Sequence, residues 1–212
     1  MTDEGRRELS GSDEATAPPV DVLISKAALR RRITELANEL SQSFAAAREP
    51  PVFIGVLKGS TLFLADLIRE LEIDVAVDFM SISSYSQTAT QSGVVRIVKD
   101  LEQDILGREV LIVEDIVDTG LTLTYLRRAL TDRGPGSLRA LTLLDRTARR
   151  IVPVDLEFRG FEIPDVFVVG YGLDFMGLYR NAADILSVRD LPRLANNPRL
   201  LVEPLWGSRR GP

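Results

Sequence analysis

Residues 110–122, Val-Leu-Ile-Val-Glu-Asp-Ile-Val-Asp-Thr-Gly-Leu-Thr, constrain the fold more than any other stretch of the chain. Val110 to Val113 run without a polar break, as in a strand covered on both faces within a parallel sheet. Glu114 and Asp115 follow at its end, and Asp118 comes three residues later. Thr119-Gly120-Leu121-Thr122 then opens a helical pattern with Leu123, Leu126 and Leu130 on one side. In open α/β sheets ligands bind at the carboxyl ends of the strands. A turn rich in glycine and hydroxyls at a helix start presents free backbone N–H groups to an anion. An acidic cluster beside an anion seat suits a ligand that carries a phosphate together with hydroxyls or metal ions.

The rest of the chain fits an α/β sheet around that segment. Residues 1–20 are polar and end in Pro18-Pro19, so a disordered tail is expected there. Ser25 can cap a helix to about Ala47, with Leu29, Ile33, Leu36, Leu40 and Phe44 at helical spacing. Pro50-Pro51 breaks it, and Val52 to Leu57 reads as a buried strand. Lys58-Gly59-Ser60 turns into a second helix carrying Leu62, Phe63, Leu67, Ile68 and Leu71. Ile73, Val75, Val77 and Phe79 alternate as a strand with one packed face. Residues 83–93 carry no charge and almost no apolar bulk, and a loop of that length is usually functional or disordered. Further strands are expected at 94–98, 138–144, 166–169 and 185–188, and Gly134-Pro135-Gly136 stops the helix after the signature. Strands alternating with helices through residue 145 indicate a mainly parallel sheet.

Composition removes whole classes of chemistry. The chain has no histidine and no cysteine. Histidine-based triads, thiolate nucleophiles, disulfides and the usual zinc sites are therefore excluded. Acid–base work falls to Asp, Glu, Lys or Tyr, and any metal is expected to be a hard cation on oxygen ligands, Mg²⁺ first. The 212 residues suffice for one domain with a small subdomain. The net charge of −5 argues against broad nucleic-acid binding. No apolar run spans a membrane, and no apolar signal core follows Met1-Thr2-Asp3-Glu4-Gly5, so a cytoplasmic protein without membrane partners is expected. Of 26 basic residues only Lys26, Lys58 and Lys99 are lysine.

The 110–122 segment resembles the phosphoribosyl-diphosphate (PRPP) signature of the type I phosphoribosyltransferases, and Glu114 to Thr122 is most similar to the hypoxanthine-guanine branch. The resemblance extends over roughly residues 25–190 and implies that family's fold: a mainly parallel twisted sheet flanked by helices, with a small hood subdomain. The corresponding boundaries are a domain at 21–190, its hood including about 160–190, and a C-terminal tail at 191–212. The implied reaction joins a 6-oxopurine to PRPP, giving purine nucleotide and pyrophosphate in purine salvage. Glu114 and Asp115 would hold the ribose hydroxyls, and Asp118, Thr119, Gly120, Leu121 and Thr122 would wrap the 5′-phosphate. Asp118 would also manage the proton at purine N7. Lys58, Gly59 and Arg180 would bind pyrophosphate, with Arg150 as a further contributor, and Ser84-Tyr85 would sit in a closing flap. Phe167 would stack on the base, Val168 would offer backbone groups to its edge, and Asp174 would reach a second Mg²⁺ through water. Glu114, Asp115 and Asp174 are thus the implied metal residues. A homo-oligomer, dimer or tetramer, is implied as well, with the first helices as its interface.

One position departs from the family pattern. A lysine usually donates to purine O6 after the Leu-Leu strand, but Leu143-Leu144-Asp145-Arg146-Thr147 puts Arg146 there. Arg146 reflects either the arginine bias of the whole chain or an altered base preference. Three rival readings stand beside the purine enzyme. One is an RNA-binding regulator on the same fold. Another is a relative acting on adenine, xanthine or orotate, and the last is a plain scaffold protein.

Overall fold

The computed structural model describes residues 19–84 and 95–207. Strand β1, Val20–Ile24, leads directly into helix α1, Lys26–Phe44. Ser25 caps that helix, its hydroxyl accepting the Ala28 N–H at 3.3 Å. Leu29, Ile33, Leu36, Leu40 and Phe44 form its buried stripe, as their spacing requires. Then follow β2 (Val52–Leu57), α2 (Thr61–Glu70), β3 (Ala76–Ser84) and β4 (Val95–Lys99). The signature supplies β5 (Glu109–Val117) and α3 (Leu121–Thr131), and β6 (Ser137–Asp145) comes next. The chain continues through β7 (Phe158–Glu162), β8 (Phe167–Val169) and β9 (Ile185–Val188), and ends in α4 (Leu191–Asn196) and α5 (Val202–Trp206).

Six strands form the main sheet in the order β4-β3-β2-β5-β6-β7, and only the β3–β4 pair is antiparallel. Alternation along β5 shows why its apolar run is unbroken. Leu111 and Val113 join the core under α1 and α2, while Val110 and Ile112 join the core under α3. Both faces of the strand are dry, so neither tolerates a polar residue. Phe53 and Ile54 of β2 divide between the same two cores.

A second sheet of three antiparallel strands, β1-β9-β8, forms the hood. It joins the start of the described chain to residues 185–188, with Val20 opposite Val188 and Asp21 opposite Ser187. The segment expected as a C-terminal tail carries α4 and α5. Leu194 and Leu201 are buried in the hood core, and Trp206 stacks on Tyr179 with ring centroids 6.2 Å apart. Strand β1, which begins within the segment expected to be disordered, and strand β7 were both absent from the sequence expectation. Among the described residues no helix is long and apolar enough to cross a membrane.

Candidate active site

Three loops and the hood converge at the carboxyl edge of β2, β5 and β6. The strand β5 runs further than its apolar stretch, through Glu114 and Asp115 to Val117. Glu114 is buried, and its Oε1 has no hydrogen-bond partner among the described residues. Burial, and then the neighbouring charge of Asp115, push its carboxyl well above the usual carboxylate range. Asp115 accepts the Ile116 N–H at 2.9 Å. Burial raises its carboxyl to about 6, against the pull of the backbone N–H groups and Arg180, with Asp174 adding to the rise. Two carboxyls in this state are poised to gain from a cation or from hydroxyl donors.

The turn after β5 is shaped by a single glycine. Gly120 has φ +83°, and a Cβ there would stand 2.7 Å from the Val152 carbonyl oxygen. The Thr119 carbonyl accepts the N–H groups of Ile151 and Val152 at 3.0 and 3.1 Å, which ties the turn to the 151–152 segment behind it. Gly120, at the N-cap of α3, has no side chain to cap it; Leu121 N–H makes only a long 3.4 Å bond to Thr119 Oγ1, so the helix start can still receive an anion.

The loop after β2 contains a cis peptide between Leu57 and Lys58. Ser60 Oγ donates to the Val56 carbonyl at 2.7 Å, and Thr61 Oγ1 donates to the Lys58 carbonyl at 2.8 Å, so hydroxyls fix the turn from within. Gly59 lies against the acidic strand end, where a Cβ would be 1.4 Å from Asp115 Oδ2. Its carbonyl oxygen also meets Gly172 of the hood, whose own Cβ would be 2.0 Å from it. Gly172 has φ +97°. Arg180 donates to the Gly172 carbonyl at 2.6 Å and pairs with Asp174 Oδ1 at 2.6 Å. Asp174 Oδ2 accepts the Gly177 N–H at 2.7 Å. Lys58, Gly59, Asp115, Asp174 and Arg180 thus belong to one seam between sheet and hood. Tyr171 fastens this seam to α2 by donating to Asp66 at 2.7 Å.

The base side is assembled from β5, β6 and the hood. Arg146 is buried, and its backbone N–H donates to the Val117 carbonyl at 3.0 Å. Its Nε stands 2.7 Å from Asp118 Oδ1, so the two residues singled out from sequence are in contact. Phe167 meets Phe175 edge to face at 5.8 Å rather than the acidic strand end. Val168 is buried in β8, an edge strand of the hood sheet, so one row of that strand's backbone groups has no strand partner. Arg150 is committed elsewhere, in a pair with the buried Asp145, which Arg159 also reaches at 2.9 Å. Ser84 ends β3, and Tyr85 lies outside the described residues.

Several residues of this arrangement escape sequence reasoning. Gly172 and Tyr171 sit in a Gly-Tyr-Gly run whose spacing does signal a special backbone. Asp165, Arg149 and Val152 give no such signal.

Residues 22–176 match the family model described as phosphoribosyl transferase domain. The hypoxanthine phosphoribosyltransferase of Escherichia coli (strain K12) is 46% identical over 162 residues, covering 76% of this chain and 91% of the relative. Among solved structures, a hypoxanthine-guanine phosphoribosyltransferase from Bacillus anthracis is similar with a TM-score of 0.74 and 45% identity, over 79% of this chain and 98% of that one. The hypoxanthine phosphoribosyltransferase of Trypanosoma cruzi, solved in complex with the product IMP, is similar with a TM-score of 0.74 and 40% identity, over 79% and 93%.

Proposed function

We infer the working of the site from one premise: the chain belongs to the phosphoribosyl transferase family. Its reaction is the purine-salvage transfer of the 5-phosphoribosyl group from PRPP to hypoxanthine or guanine, giving IMP or GMP and pyrophosphate. The observation that carries the assignment of roles is the meeting of an acid pair (Glu114 buried, Asp115 half-buried), a glycine turn at a helix start and an arginine-bearing hood at one sheet edge.

Glu114 and Asp115 hold the ribose hydroxyls, which supply the donors that Glu114 Oε1 lacks. Asp118, Thr119, Gly120, Leu121 and Thr122 form the 5′-phosphate seat, with the free N–H groups of α3 facing the anion. Lys58, Gly59 and Arg180 receive pyrophosphate, whose departure leaves positive charge on the ribose ring. Phe167 stacks on the purine, β8 offers Val168 backbone groups to its edge, and Arg146 donates to the 6-oxo group. As purine N9 bonds to the ribose carbon, Asp118 accepts the proton from N7. By family resemblance Ser84 and Tyr85 serve to exclude water from the reacting centre, Tyr85 lying outside the described residues.

Mg²⁺ is the proposed metal, and the donor set fits it. Glu114 and Asp115 present hard oxygens, and their raised carboxyls favour a nearby cation. Among the described residues no group of three acids, histidines or cysteines is close enough to hold a metal alone, so Glu114 and Asp115 would hold it together with oxygens from outside the protein. Asp174 contributes through water, since Arg180 and Gly177 already engage its oxygens. When bound, the cation neutralises charge building on the pyrophosphate. Self-association as a dimer or tetramer through α1 and α2, and a cytoplasmic location, complete the proposal. The exposed Leu62 beside a cavity of about 460 Å³ between those helices and the hood supports the interface.

The direct experiment offers hypoxanthine, guanine, xanthine and adenine in parallel with PRPP and Mg²⁺ and measures pyrophosphate release. Turnover with hypoxanthine or guanine and none with adenine is expected. PRPP binding without release for any base would overturn the reading in favour of a regulator.

The raised acids carry a pH prediction. Asp115 holds its proton more tightly folded, at about 6, than in an unfolded chain near 3.8. Between those values the folded state binds more protons, so ligand-free stability falls as pH rises from about 4 to about 6. Asp115→Asn removes that penalty. At pH 7 its ligand-free melting temperature is expected to exceed wild type by roughly 5 °C, the gain vanishing at pH 4, while PRPP affinity collapses. A variant no more stable than wild type at pH 7 would contradict this.

A further inference from the structure

The Arg146 guanidinium lies between two carboxylates from different parts of the fold. Its Nε is 2.7 Å from Asp118 Oδ1, and its Nη1 is 3.7 Å from Asp165 Oδ1. Neither nitrogen makes an aligned hydrogen bond, although both are buried. A buried guanidinium held by charge alone keeps its donors unspent, which is costly unless something else takes them up. Asp165 sits in the hood loop, two residues before Phe167, and Arg149 also reaches it, Nε to Oδ1, at 2.5 Å. Backbone pairing to Val117 fixes the base of the Arg146 side chain, so only the guanidinium end can move.

On the reading above, Asp118 turns to purine N7 when the base enters, and Arg146 then loses one of its two counter-charges. We propose that Asp165 is a positioning residue for purine binding: it retains Arg146 while that side chain exchanges Asp118 for the 6-oxo group of the base. The Arg146–Asp118 contact of the free site is then a closed state that hypoxanthine opens. Asp165 anchors the guanidinium through both states. This gives the arginine a role that lysine cannot copy in full. A lysine has one nitrogen, whereas arginine separates Nε from Nη1 and can face two acids at once. The hood loop therefore contributes to base recognition through Asp165 as well as through Phe167.

Asp165 is half exposed, so Asp165→Asn removes the charge and preserves the shape, and a thermal melt confirms the fold. With this variant the KM for hypoxanthine is expected to rise by about tenfold while the KM for PRPP stays within about twofold. Asp165→Glu, which restores the charge, should recover most of the loss. In an Arg146→Lys background Asp165→Asn should add less than about a further twofold, because the second nitrogen that faces Asp165 is gone. The inference fails if both KM values rise together, if the two substitutions multiply in full, or if Asp165→Asn changes nothing. Wild-type release of pyrophosphate with hypoxanthine is measured first. Its absence would overturn the functional reading itself, whereas its presence with a silent Asp165→Asn would overturn only the role of Asp165.

Discussion

Asp118→Asn should lower kcat by about a hundredfold to a thousandfold while leaving the KM for PRPP within about twofold. Asp118 follows the end of β5, beside the phosphate turn and in contact with Arg146. Its carboxylate is about one-third exposed, open enough to meet a ligand. The chain has no histidine, so no imidazole can take over a proton at N7. An asparagine fills the same space and still hydrogen-bonds, but it cannot accept the proton as N9 commits to the ribose carbon. Glu114, Asp115 and the 119–122 turn are untouched, so PRPP binding should survive. The measurement is steady-state kinetics with each substrate varied in turn. Equal and mild changes in kcat and in the KM for PRPP would show that Asp118 only helps to hold the phosphate.

The second large effect is expected from Gly59→Ala, which should cut kcat/KM by about a hundredfold or more. The new Cβ would lie 1.4 Å from Asp115 Oδ2, a distance at which the two atoms cannot coexist. The new Cβ is fixed to the backbone, so relief must come from a new rotamer of Asp115 or from movement of the loop. The loop cannot simply retreat, because its carbonyl already meets Gly172 of the hood. Asp115 or the seam must move, and either motion separates the ribose-holding acid from the pyrophosphate loop. Gly107→Ala is the matched control. Nothing lies within 4 Å of a Cβ there, although φ is +71°. It should cost about 1 kcal/mol of stability and leave turnover intact. Activity within threefold of wild type for Gly59→Ala would remove the seam from the catalytic argument.

Residues whose partners are close in sequence were legible without coordinates. Ser25 and the stripe from Leu29 to Phe44 announce α1, and Val110 to Thr122 announces a strand, an acidic edge and a helix start, because each depends on spacing within one element. Strand β1 was not legible, since Val20 finds its partner in Val188 at the other end of the domain. Strand β7 hides because Phe158-Arg159-Gly160-Phe161-Glu162 places a glycine and two charges in five residues. Helix α4 was disguised by Pro192, which reads as punctuation but sits in the first turn, where no intrahelical N–H is needed. In the site, Arg146 was conspicuous as a departure from a family pattern. Of its two carboxylate neighbours Asp118 stood out in the signature, but Asp165 did not, because it arrives from the hood by tertiary packing alone. The closeness of Gly59 to Asp115 likewise depends on two adjacent parallel strands ending at one level, which no local pattern encodes.

The pairing of β1 with β9 also fixes a timetable. Residues 20–24 are made long before their partners at 185–188. While the ribosome elongates the chain, the six-stranded sheet can be completed by residue 162, with the 114–122 turn in place. The hood must wait, and closing so long a loop is a late and slow event in folding. Arg180 and Asp174 enter with it. A nascent chain can therefore present a phosphate seat well before it owns the residues that meet pyrophosphate and purine. Val20 to Ile24 meanwhile travel as an unpaired strand, open to the wrong neighbour until residues 185–188 have been made.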